Sequence, residues 1–507
     1  MLHWLHLRRL VERSSAPCQH YQLGALAVCS FEMMANSMVV TPRRSFSIPS
    51  TLAGGKLPTR WSKQESVQIS SWLPQVVGTW TSPQSVSFPS LLEYLAADTS
   101  LGHVSASTGG ETFYYPNFVS PRDTEKLSQE IIHTVTRETG YQALMKVRCS
   151  NGLQVQSYHG NFIHHTFGAD VELGTIDSDK AMAVIFSYDG KLDAKLDAHF
   201  QSALLYTTAT GERRVRCSNV IASVSDNAKD CMKFVDQDAV YTLMAKEAAS
   251  KMTSASLKDI RGALTEKNVD ILAGYRKNFS GSHPPGQLVL PENLKEFSMY
   301  ILGLIKSRAF KGGQEPTDRR VHDMRMIKGM GALELSLYLY PRMIPIHNLA
   351  PEDGFPNADG HLHMPPSIRC SFSRVEDGGV YLIDNGQNCY LWMHAQTSPN
   401  LIADLFGEGK DSLKSLDPYS SSLPVLETHL SAQVRNILEY LKTMRGSKAL
   451  TIQLARQGLD GAEYEFARLL VEDRNNEAQS YVDWLVHIHR HVQLEVSPMP
   501  SINSISW

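Results

Sequence analysis

Alternating apolar and polar positions dominate the middle of the chain. One pair of alternating runs flanks Asn151-Gly152, and Asn-Gly is a strong signal for a two-strand hairpin. A second pair, at 200–206 and 213–220, is separated by a short segment that contains a turn-forming glycine. Alternation with one polar face is typical of antiparallel sheets. The pattern predicts an antiparallel β-sandwich at 139–233.

Helical periodicity replaces this alternation on both sides of the sandwich. Apolar residues at three- and four-residue spacing predict helices at 240–251, 257–275 and 294–308, which would form an all-helical domain at 234–334. Another amphipathic helix is predicted at 125–138, just before the sandwich. Its predicted apolar face consists of Leu127, Ile131, Ile132 and Val135.

The last third of the chain alternates again around a second Asn-Gly pair, Asn385-Gly386. This pattern predicts a hairpin with a type I′ turn. Helices predicted at 399–406, 426–444 and 478–491 would cover the resulting sheet and give an α/β layer arrangement. We assign this domain to 335–495, followed by a tail at 496–507.

Composition narrows the class of protein. The chain has 507 residues, enough for about three domains, with 42% hydrophobic and 20% charged residues and a net charge of -3. This near-neutral balance argues against a general nucleic-acid binder. Seven scattered cysteines without a CxxC pair favour a reducing cytosol over a disulfide framework. No stretch approaches the ~20 apolar residues of a membrane helix, so any membrane contact is expected to be peripheral.

The N-terminal residues differ from the rest. Over 1–50, five arginines stand against two glutamates, with several serines. This balance resembles a mitochondrial transit peptide. The alternative is a poorly ordered or wrongly predicted gene start. We therefore expect 1–60 to be atypical or disordered.

Motifs for catalysis and metal binding are missing from the sequence. It contains no GxSxG, HExxH or GxxxxGK[ST] motif. His487, His489 and His491 alternate, which on a helix would place them on different faces. Asp384 beside the second Asn-Gly pair raises the question of calcium, but a single carboxylate is weak evidence and a turn-flanking role is favoured. We predict no catalytic residue, no metal site and no enzyme.

Several longer motifs resemble one known family. YYPNF, MKVRCSNGL, YHGNF and FQSALLYTT, followed by FSGSHPPGQLVLPENLKEF, YLYPRMIPIHNL and GGVYLIDNGQNCYLWM, resemble the cargo-adaptor subunit of the COPII vesicle coat, the Sec24 family, in its fungal type. The resemblance runs from about Thr108 to about Glu495. In that family a zinc ribbon and a von Willebrand A-type trunk precede a β-sandwich, a helical domain and a gelsolin-like domain.

The resemblance implies a multidomain α+β fold. It assigns a trunk remnant to 61–138, an antiparallel β-sandwich to 139–233, an all-helical domain to 234–334 and a gelsolin-like α/β domain to 335–495. The paired CxxC motifs of the family's zinc ribbon do not occur in this sequence. We therefore expect no zinc or other cofactor.

A function in vesicle transport is implied in the same way. Members of this family recognise sorting signals of ER cargo for transport to the Golgi. The implied partners are the GTPase-activating subunit of the inner coat, its coat GTPase indirectly, cytosolic signals of membrane cargo and an acidic membrane surface, with no nucleic acid. The implied location is the cytoplasm, peripheral on the cytosolic face of the ER membrane and COPII vesicles. Alternatives are a truncated paralogue outside the coat and a gelsolin-like actin- or calcium-binding protein.

Candidate cargo-binding residues come from the same comparison. Ile163 and His165 stand where the family pattern has an aromatic residue and an arginine. Because neutral histidine binds carboxylates less strongly than arginine does, we expect weak binding of acidic export signals. The alternative is that both residues merely end a strand. Trp484 is a candidate exposed aromatic anchor for a peptide, with core packing as the alternative.

A basic cluster in the helical domain is the remaining candidate. Its cations could face acidic phospholipid, where each contributes about 1 kcal/mol. Alternatively, it is a solvated loop that Glu315, Asp318 and Asp323 neutralise. The cluster consists of Lys306, Arg308, Lys311, Arg319, Arg320 and Arg325.

Overall fold

The computed structural model describes most of the chain from residue 105 onwards. The described ranges are 105–115, 118–162, 170–225, 231–279, 286–446 and 448–496, with Gly102, Asn227 and Pro284. Upstream, it describes the backbone of four short strands, β1 (Leu10–Val11), β2 (Val39–Val40), β3 (Ile69–Ser70) and β4 (Val76–Trp80). The predictions for 1–60 otherwise fall outside the described residues. None of the described helices is long and apolar enough to cross a membrane.

A strand and a long helix precede the sandwich. Strand β5 (Glu111–Tyr115) pairs in parallel with β4, and helix α1 (Ser120–Thr136) follows it. The helix was predicted, but its predicted apolar face is only partly correct. Ile132 and Val135 are 59% and 55% exposed, because α1 contacts its neighbours mainly through polar side chains described below.

The sandwich has two layers, antiparallel except for one short parallel pair. One sheet has the order β1-β11-β10-β6-β8, with β2 also on β11 and β1 parallel to it, and the other pairs β7 with β9. The layers pack through Phe186 and Phe200, whose ring centroids lie 4.8 Å apart. This confirms the predicted sandwich. Its strands are β6 (Thr139–Cys149), β7 (Leu153–His159), β8 (Val171–Asp177), β9 (Ala183–Tyr188), β10 (Asp197–Thr208) and β11 (Arg213–Ser225).

The hairpin predicted at Asn151-Gly152 is wrong, although the turn exists. Gly152 has a φ of 91°, but β6 and β7 belong to different sheets. Both edges of β6 are already occupied, by β10 and β8. The chain therefore leaves the first sheet at this turn, and Asp189 N donates to Gly152 O at 2.9 Å in the second layer.

The hairpin between β10 and β11 is confirmed, with pairing up to Thr207 and Arg213.

Five helices form the predicted helical domain. Asp236 caps the first of them, because its side chain accepts hydrogen bonds from Asp238 N and Ala239 N. Leu294, Phe297, Ile301 and Leu304 are at most 1% exposed and belong to the core. The helices are α2 (Gln237–Lys251), α3 (Leu257–Phe279), α4 (Phe297–Lys306), α5 (Thr317–Gly329) and α6 (Ala332–Leu339), with a 3-10 turn at Glu292–Leu294.

The gelsolin-like domain is a four-stranded sheet between helices. The strand order is β12-β13-β14-β15, antiparallel except for the parallel pair β14 and β15. Trp392 stacks on Phe466 with centroids 4.9 Å apart on one face, while α7 and α8 cover the other. The elements are β12 (Arg342–Pro345), β13 (Val380–Asp384), β14 (Cys389–Met393), α7 (Pro399–Phe406), α8 (His429–Met444), β15 (Ile452–Arg456) and α9 (Ala462–Leu469), with 3-10 turns at Phe372–Arg374 and Leu413–Ser415.

The second Asn-Gly pair closes a true hairpin between β13 and β14. Asn385 N donates to Asn388 O at 3.2 Å, so Gly386 and Gln387 are the two central residues. Of these, Gly386 has a positive φ of 83° and Gln387 does not. That is the pattern of a type II′ turn, so the predicted type I′ turn is wrong.

The last helix, α10 (Tyr481–Val496), does not cover the gelsolin-like sheet as predicted. Its buried residues Trp484, Ile488 and Val492 belong to the core of the helical domain and pack beside α3 and α4. The chain therefore returns to the helical domain after completing the gelsolin-like sheet.

Candidate functional site

Two seams join the helical domain to its neighbours. At the first, here called the sandwich seam, Lys246 on α2 is 1% exposed. Its Nζ donates to the carbonyl oxygens of Ala181, Ile327 and Lys328 at 3.2, 3.4 and 2.7 Å. The last carbonyls of α5 have no partner within the helix, and a cation stabilises a helix C-terminus. Burial lowers the pKa of Lys246 to about 7.

Neutral groups complete the sandwich seam. Ala181 N donates to Gly329 O at 2.9 Å, and Asn161 Nδ2 donates to Arg325 O at 2.9 Å. His159 lies between the hydroxyls of Ser157 and Ser250, at 3.0 and 3.3 Å. Burial lowers the pKa of His159 to about 4, so the ring is neutral at pH 7.

His159 was not singled out from the sequence, and it gives the closest approach to a nucleophile–base pair. A serine–histidine catalytic site also needs a carboxylate that orients the ring. Within the described part of the chain, no carboxylate hydrogen-bonds to His159. The arrangement therefore orders the seam without completing a triad.

The second seam, here called the gelsolin seam, is ionic. Arg308 pairs with Glu465 on α9, and Arg319 Nη2 lies 3.5 Å from the same carboxylate. Lys311 Nζ lies 2.9 Å from Glu315 Oε2. The two pairs with Glu465 hold α5 and the preceding loop against the gelsolin-like domain, whereas the Lys311–Glu315 pair lies within the helical domain.

Three of the six residues of the predicted basic cluster, Lys306, Arg308 and Arg319, contact the gelsolin-like domain at this seam. Lys306 donates to Val471 O at 2.7 Å and also to Asp473 O, and Arg320 donates to three carbonyls of its own domain at 3.0–3.1 Å. Lys306 and Lys311 are 3% and 6% exposed. The membrane-facing prediction is therefore wrong for these two lysines. The solvated-loop alternative is correct in that Glu315 neutralises Lys311, but both lysines are buried and not solvated.

Helix α1 is held by both the sandwich and the gelsolin-like domain. His133 Nε2 lies 2.6 Å from Asp179 Oδ2, and Arg137 binds Asp177 and Asp179 at 2.9 Å. Gln129 Oε1 accepts a hydrogen bond from Leu450 N at 3.1 Å. Although burial acts in the opposite direction, the hydrogen bond from His133 and the charges of Lys448 and Arg137 hold the pKa of Asp179 well below its usual range. Helix α1 is thus a third connection between domains.

A cavity of about 830 Å³ lies where these domains meet. Its lining includes Arg122 from α1, Arg319 from α5, and Tyr390 and Tyr419 from the gelsolin-like domain. Burial raises the pKa of Tyr390 to about 12, which keeps its hydroxyl protonated. This volume falls within the range typical of ligand-binding pockets. Sequence reasoning missed it because its walls come from three distant segments.

Of the three candidate cargo-binding residues, Trp484 lies among the described residues, whereas Ile163 and His165 do not. Trp484 is 5% exposed, and its Nε1 donates to Ser298 O at 3.0 Å. The exposed-anchor prediction is therefore wrong and the core alternative is correct. Ile163 and His165 lie outside the described residues, so the prediction for the signal pocket stays a prediction.

No group of three or more potential metal ligands occurs among the described side chains. Asp384 is 1% exposed, pairs with Arg445 and accepts from Gly386 N at 2.8 Å, which fits the predicted turn-flanking role. The sequence analysis placed His487, His489 and His491 on different faces of a helix, which is only partly correct. His487 and His491 share a helix face with centroids 4.5 Å apart, because four-residue spacing returns to the same side.

Comparison with known proteins identifies the family. Family models match the Sec23/Sec24 β-sandwich domain at 140–225, the Sec23/Sec24 helical domain at 236–337 and the gelsolin repeat at 361–438. The chain is 31% identical over 395 residues to the human protein transport protein Sec24C. The chain belongs to the Sec24 family.

A second relative and a solved structure support the same family assignment. The SED5-binding protein 3 of Saccharomyces cerevisiae is 30% identical over 407 residues. Both relatives match 78% of this chain, which spans only 35% of the human protein and 44% of the yeast protein. The crystal structure of the human COPII-coat protein Sec24c superposes with a TM-score of 0.71 at 31% identity, covering 79% of this chain and 50% of that one.

Proposed function

We propose that this chain is a cargo adaptor of the COPII coat, which binds sorting signals of ER cargo for transport to the Golgi. The observation that carries the proposal is the likeness to the human COPII-coat protein over β-sandwich, helical and gelsolin-like domains. The relatives' description as protein transport proteins supports it. The proposed location is the cytosolic face of the ER membrane, as a peripheral protein.

The two seams suit an adaptor. A protein that reads short signals while it is held in a coat needs binding surfaces at fixed relative positions, because ordering them on binding would cost affinity. The buried contacts of Lys246 and the ion pairs of Glu465 fix the helical domain to both neighbours. The proposed role is therefore to hold a position in the coat and to bind sorting signals, with no catalytic step and no zinc or other cofactor.

The proposed coat partners are the GTPase-activating subunit of the inner coat and, through it, the coat GTPase. Flotation of liposomes containing acidic phospholipid tests this directly. We expect the chain to float only when the partner subunit and the GTP-loaded GTPase are both present. A chain that stays soluble while a full-length family member floats would contradict the proposal and favour a paralogue outside the coat. Sedimentation with actin filaments would favour the gelsolin-like alternative instead.

The signal pocket at His165 gives a separate prediction. Replacing this residue by arginine, His165→Arg, supplies a permanent cation that binds carboxylates bidentately. We expect about a tenfold gain in affinity for an acidic signal peptide, measured by fluorescence anisotropy, since one charge-assisted hydrogen bond is worth about 1.5–3 kcal/mol. His159→Arg is unsuitable as a control because that ring is partly buried at the sandwich seam, so His199→Arg, at an exposed position of strand β10, is used. Equal affinity for the wild type and His165→Arg would refute the pocket assignment.

A further inference from the structure

The two Asn-Gly pairs of the chain differ in how their amide groups are held. Such a pair occurs twice in the sequence, at Asn151-Gly152 and at Asn385-Gly386. In an Asn-Gly pair the backbone nitrogen of the glycine can attack the side-chain amide carbon of the asparagine, because glycine has no Cβ to obstruct the approach. The reactivity of each pair therefore depends on whether the fold leaves both groups free to meet.

At Asn385-Gly386 both groups are held by hydrogen bonds. Gly386 N, the attacking atom, donates to Asp384 Oδ1 at 2.8 Å. The side-chain oxygen of Asn385 accepts hydrogen bonds from Gln387 N and Asn388 N at 3.1 and 2.8 Å. Asn385 is only 7% exposed, and Asp384 is 1% exposed. Reaction at this pair therefore requires that a buried turn opens first.

At Asn151-Gly152 neither group is held in this way. Asn151 is exposed, and no described residue hydrogen-bonds to its side chain. Gly152 N likewise has no hydrogen-bond acceptor in the described part of the chain. The turn itself is closed by Leu153 N, which donates to Ser150 O at 3.2 Å. The attacking nitrogen and the amide carbon are therefore both available in the folded protein.

We propose that Asn151-Gly152 is a deamidation site, at which the folded chain modifies itself with water as the only co-reactant. Gly152 N loses its proton to solvent and forms a bond to Asn151 Cγ, while the side-chain nitrogen takes up a proton and leaves as ammonia. Water then opens the resulting succinimide ring at either carbonyl, which gives aspartate or isoaspartate. The net change is the loss of one ammonia and the gain of one water, and nothing is oxidised or reduced.

The isoaspartate product changes the connection between the two layers of the sandwich. Its main chain contains one extra methylene group between positions 151 and 152, and its side chain adds a negative charge. The turn is tied to both layers, because Ser150 N donates to His199 O of β10 and Asp189 N, after β9, donates to Gly152 O, each at 2.9 Å. A lengthened turn strains these hydrogen bonds, so the modification loosens the connection.

Peptide mapping by mass spectrometry tests the site. The full chain is incubated at 37 °C and pH 8 and then digested, and the two peptides that contain Asn151 and Asn385 are followed for the conversion of amide to acid. We expect deamidation of the folded chain to be at least about tenfold faster at Asn151 than at Asn385, because reaction at Asn385 requires local opening. In guanidinium chloride the two sites should react at similar rates, since the fold then protects neither.

Asn151→Gln is the matched control variant. Its longer side chain must close a larger ring, which forms more slowly, so the variant should stay unmodified at this position. Gly152→Ala is unsuitable, because Gly152 has a φ of 91° and an added Cβ would lie 2.9 Å from Leu192 Cδ2. During incubation the unfolding temperature of the wild type should fall by a few degrees as isoaspartate accumulates, whereas that of Asn151→Gln should not change.

Three results would overturn the inference. They are an Asn151 that stays intact in the folded chain, equal rates at Asn151 and Asn385 in the folded chain, and equal unfolding temperatures of the fresh and the deamidated wild type. The inference does not depend on the proposed function, which the flotation experiment tests separately.

Discussion

The two seams of the helical domain differ in the groups that form them. At the sandwich seam, a buried ammonium group and neutral donors point at backbone carbonyls, with Lys246 and Asn161 as the main side chains. At the gelsolin seam, the carboxylate of Glu465 binds the guanidinium groups of Arg308 and Arg319. The helical domain is therefore attached by shielded hydrogen bonds on one side. On the other side, partly exposed charge pairs add to the buried contacts of Lys306 with the carbonyls of Val471 and Asp473.

This difference predicts different sensitivities. Buried hydrogen bonds in a low-dielectric setting are strong and costly to break, and salt does not reach them. Partly exposed ion pairs contribute about 0–1 kcal/mol each and are screened by salt. We expect salt to loosen the gelsolin-like domain while the sandwich and the helical domain remain joined.

Lys246→Met should produce the largest effect. Methionine preserves much of the side-chain volume but leaves the carbonyls of Ile327 and Lys328 without their donor. Because unsatisfied buried carbonyls cost about 1–3 kcal/mol each, we expect a loss of about 3 kcal/mol in the free energy of unfolding. Urea denaturation followed by circular dichroism measures it. Lys251→Met, on the same helix but exposed and paired with Glu247, should cost less than about 0.5 kcal/mol.

If Lys246→Met lowered the free energy of unfolding as little as Lys251→Met does, the proposed difference between the two seams would be wrong. It would mean that packing alone, without these hydrogen bonds, joins the sandwich to the helical domain.

Glu465→Gln should have an intermediate effect at the gelsolin seam. The substitution removes the charge that Arg308 and Arg319 share, so we expect a loss of about 1–2 kcal/mol at low salt. The loss should shrink as sodium chloride rises to about 1 M, where the screening length is about 3 Å. Arg468→Gln is the control, because its contacts with Glu315 and Glu465 are both 3.8 Å long. A loss that is the same at both salt concentrations would contradict an ionic seam.

The pH dependence of Lys246 should give the smallest effect. Its pKa in the folded protein is about 7, below the ~10.4 of an unfolded lysine. Between these values the unfolded chain binds one more proton, so stability must rise with pH. We expect the wild type to gain about 1 kcal/mol over Lys246→Met between pH 7 and pH 8, and nothing below pH 6. Urea unfolding of both proteins at pH 6, 7 and 8 measures the difference. If the difference in the free energy of unfolding between the wild type and Lys246→Met became smaller with rising pH, the lowered pKa of Lys246 would be refuted.

Local elements were predictable because their signals are local. The helix predicted at 399–406 is found at Pro399–Phe406, and the hairpin between β10 and β11 matches its prediction. Periodicity, proline positions and turn glycines act within a few residues of where they occur. The order of sandwich, helical and gelsolin-like domains followed from motifs, since family resemblance is carried by the sequence itself.

The candidate site was far less predictable. The sequence singled out Trp484 and the basic cluster by residue type, but it could not show that Trp484 donates to Ser298 or that Arg308 meets Glu465. Each of these partners lies more than 150 residues away. The cavity of about 830 Å³ where the domains meet is assembled from equally distant segments, so no sequence window contains it.

The two Asn-Gly pairs show most clearly what the sequence alone determined and what the tertiary structure decided. At both sites the sequence determined that the chain turns, because glycine adopts a positive φ at little cost. Whether the flanking strands pair was decided by the tertiary structure. At Asn385-Gly386 the adjacent edges were free to join, whereas at Asn151-Gly152 both edges of β6 were taken by β8 and β10. Backbone conformation is a property of a few residues, but pairing and burial depend on every segment that competes for the same surface.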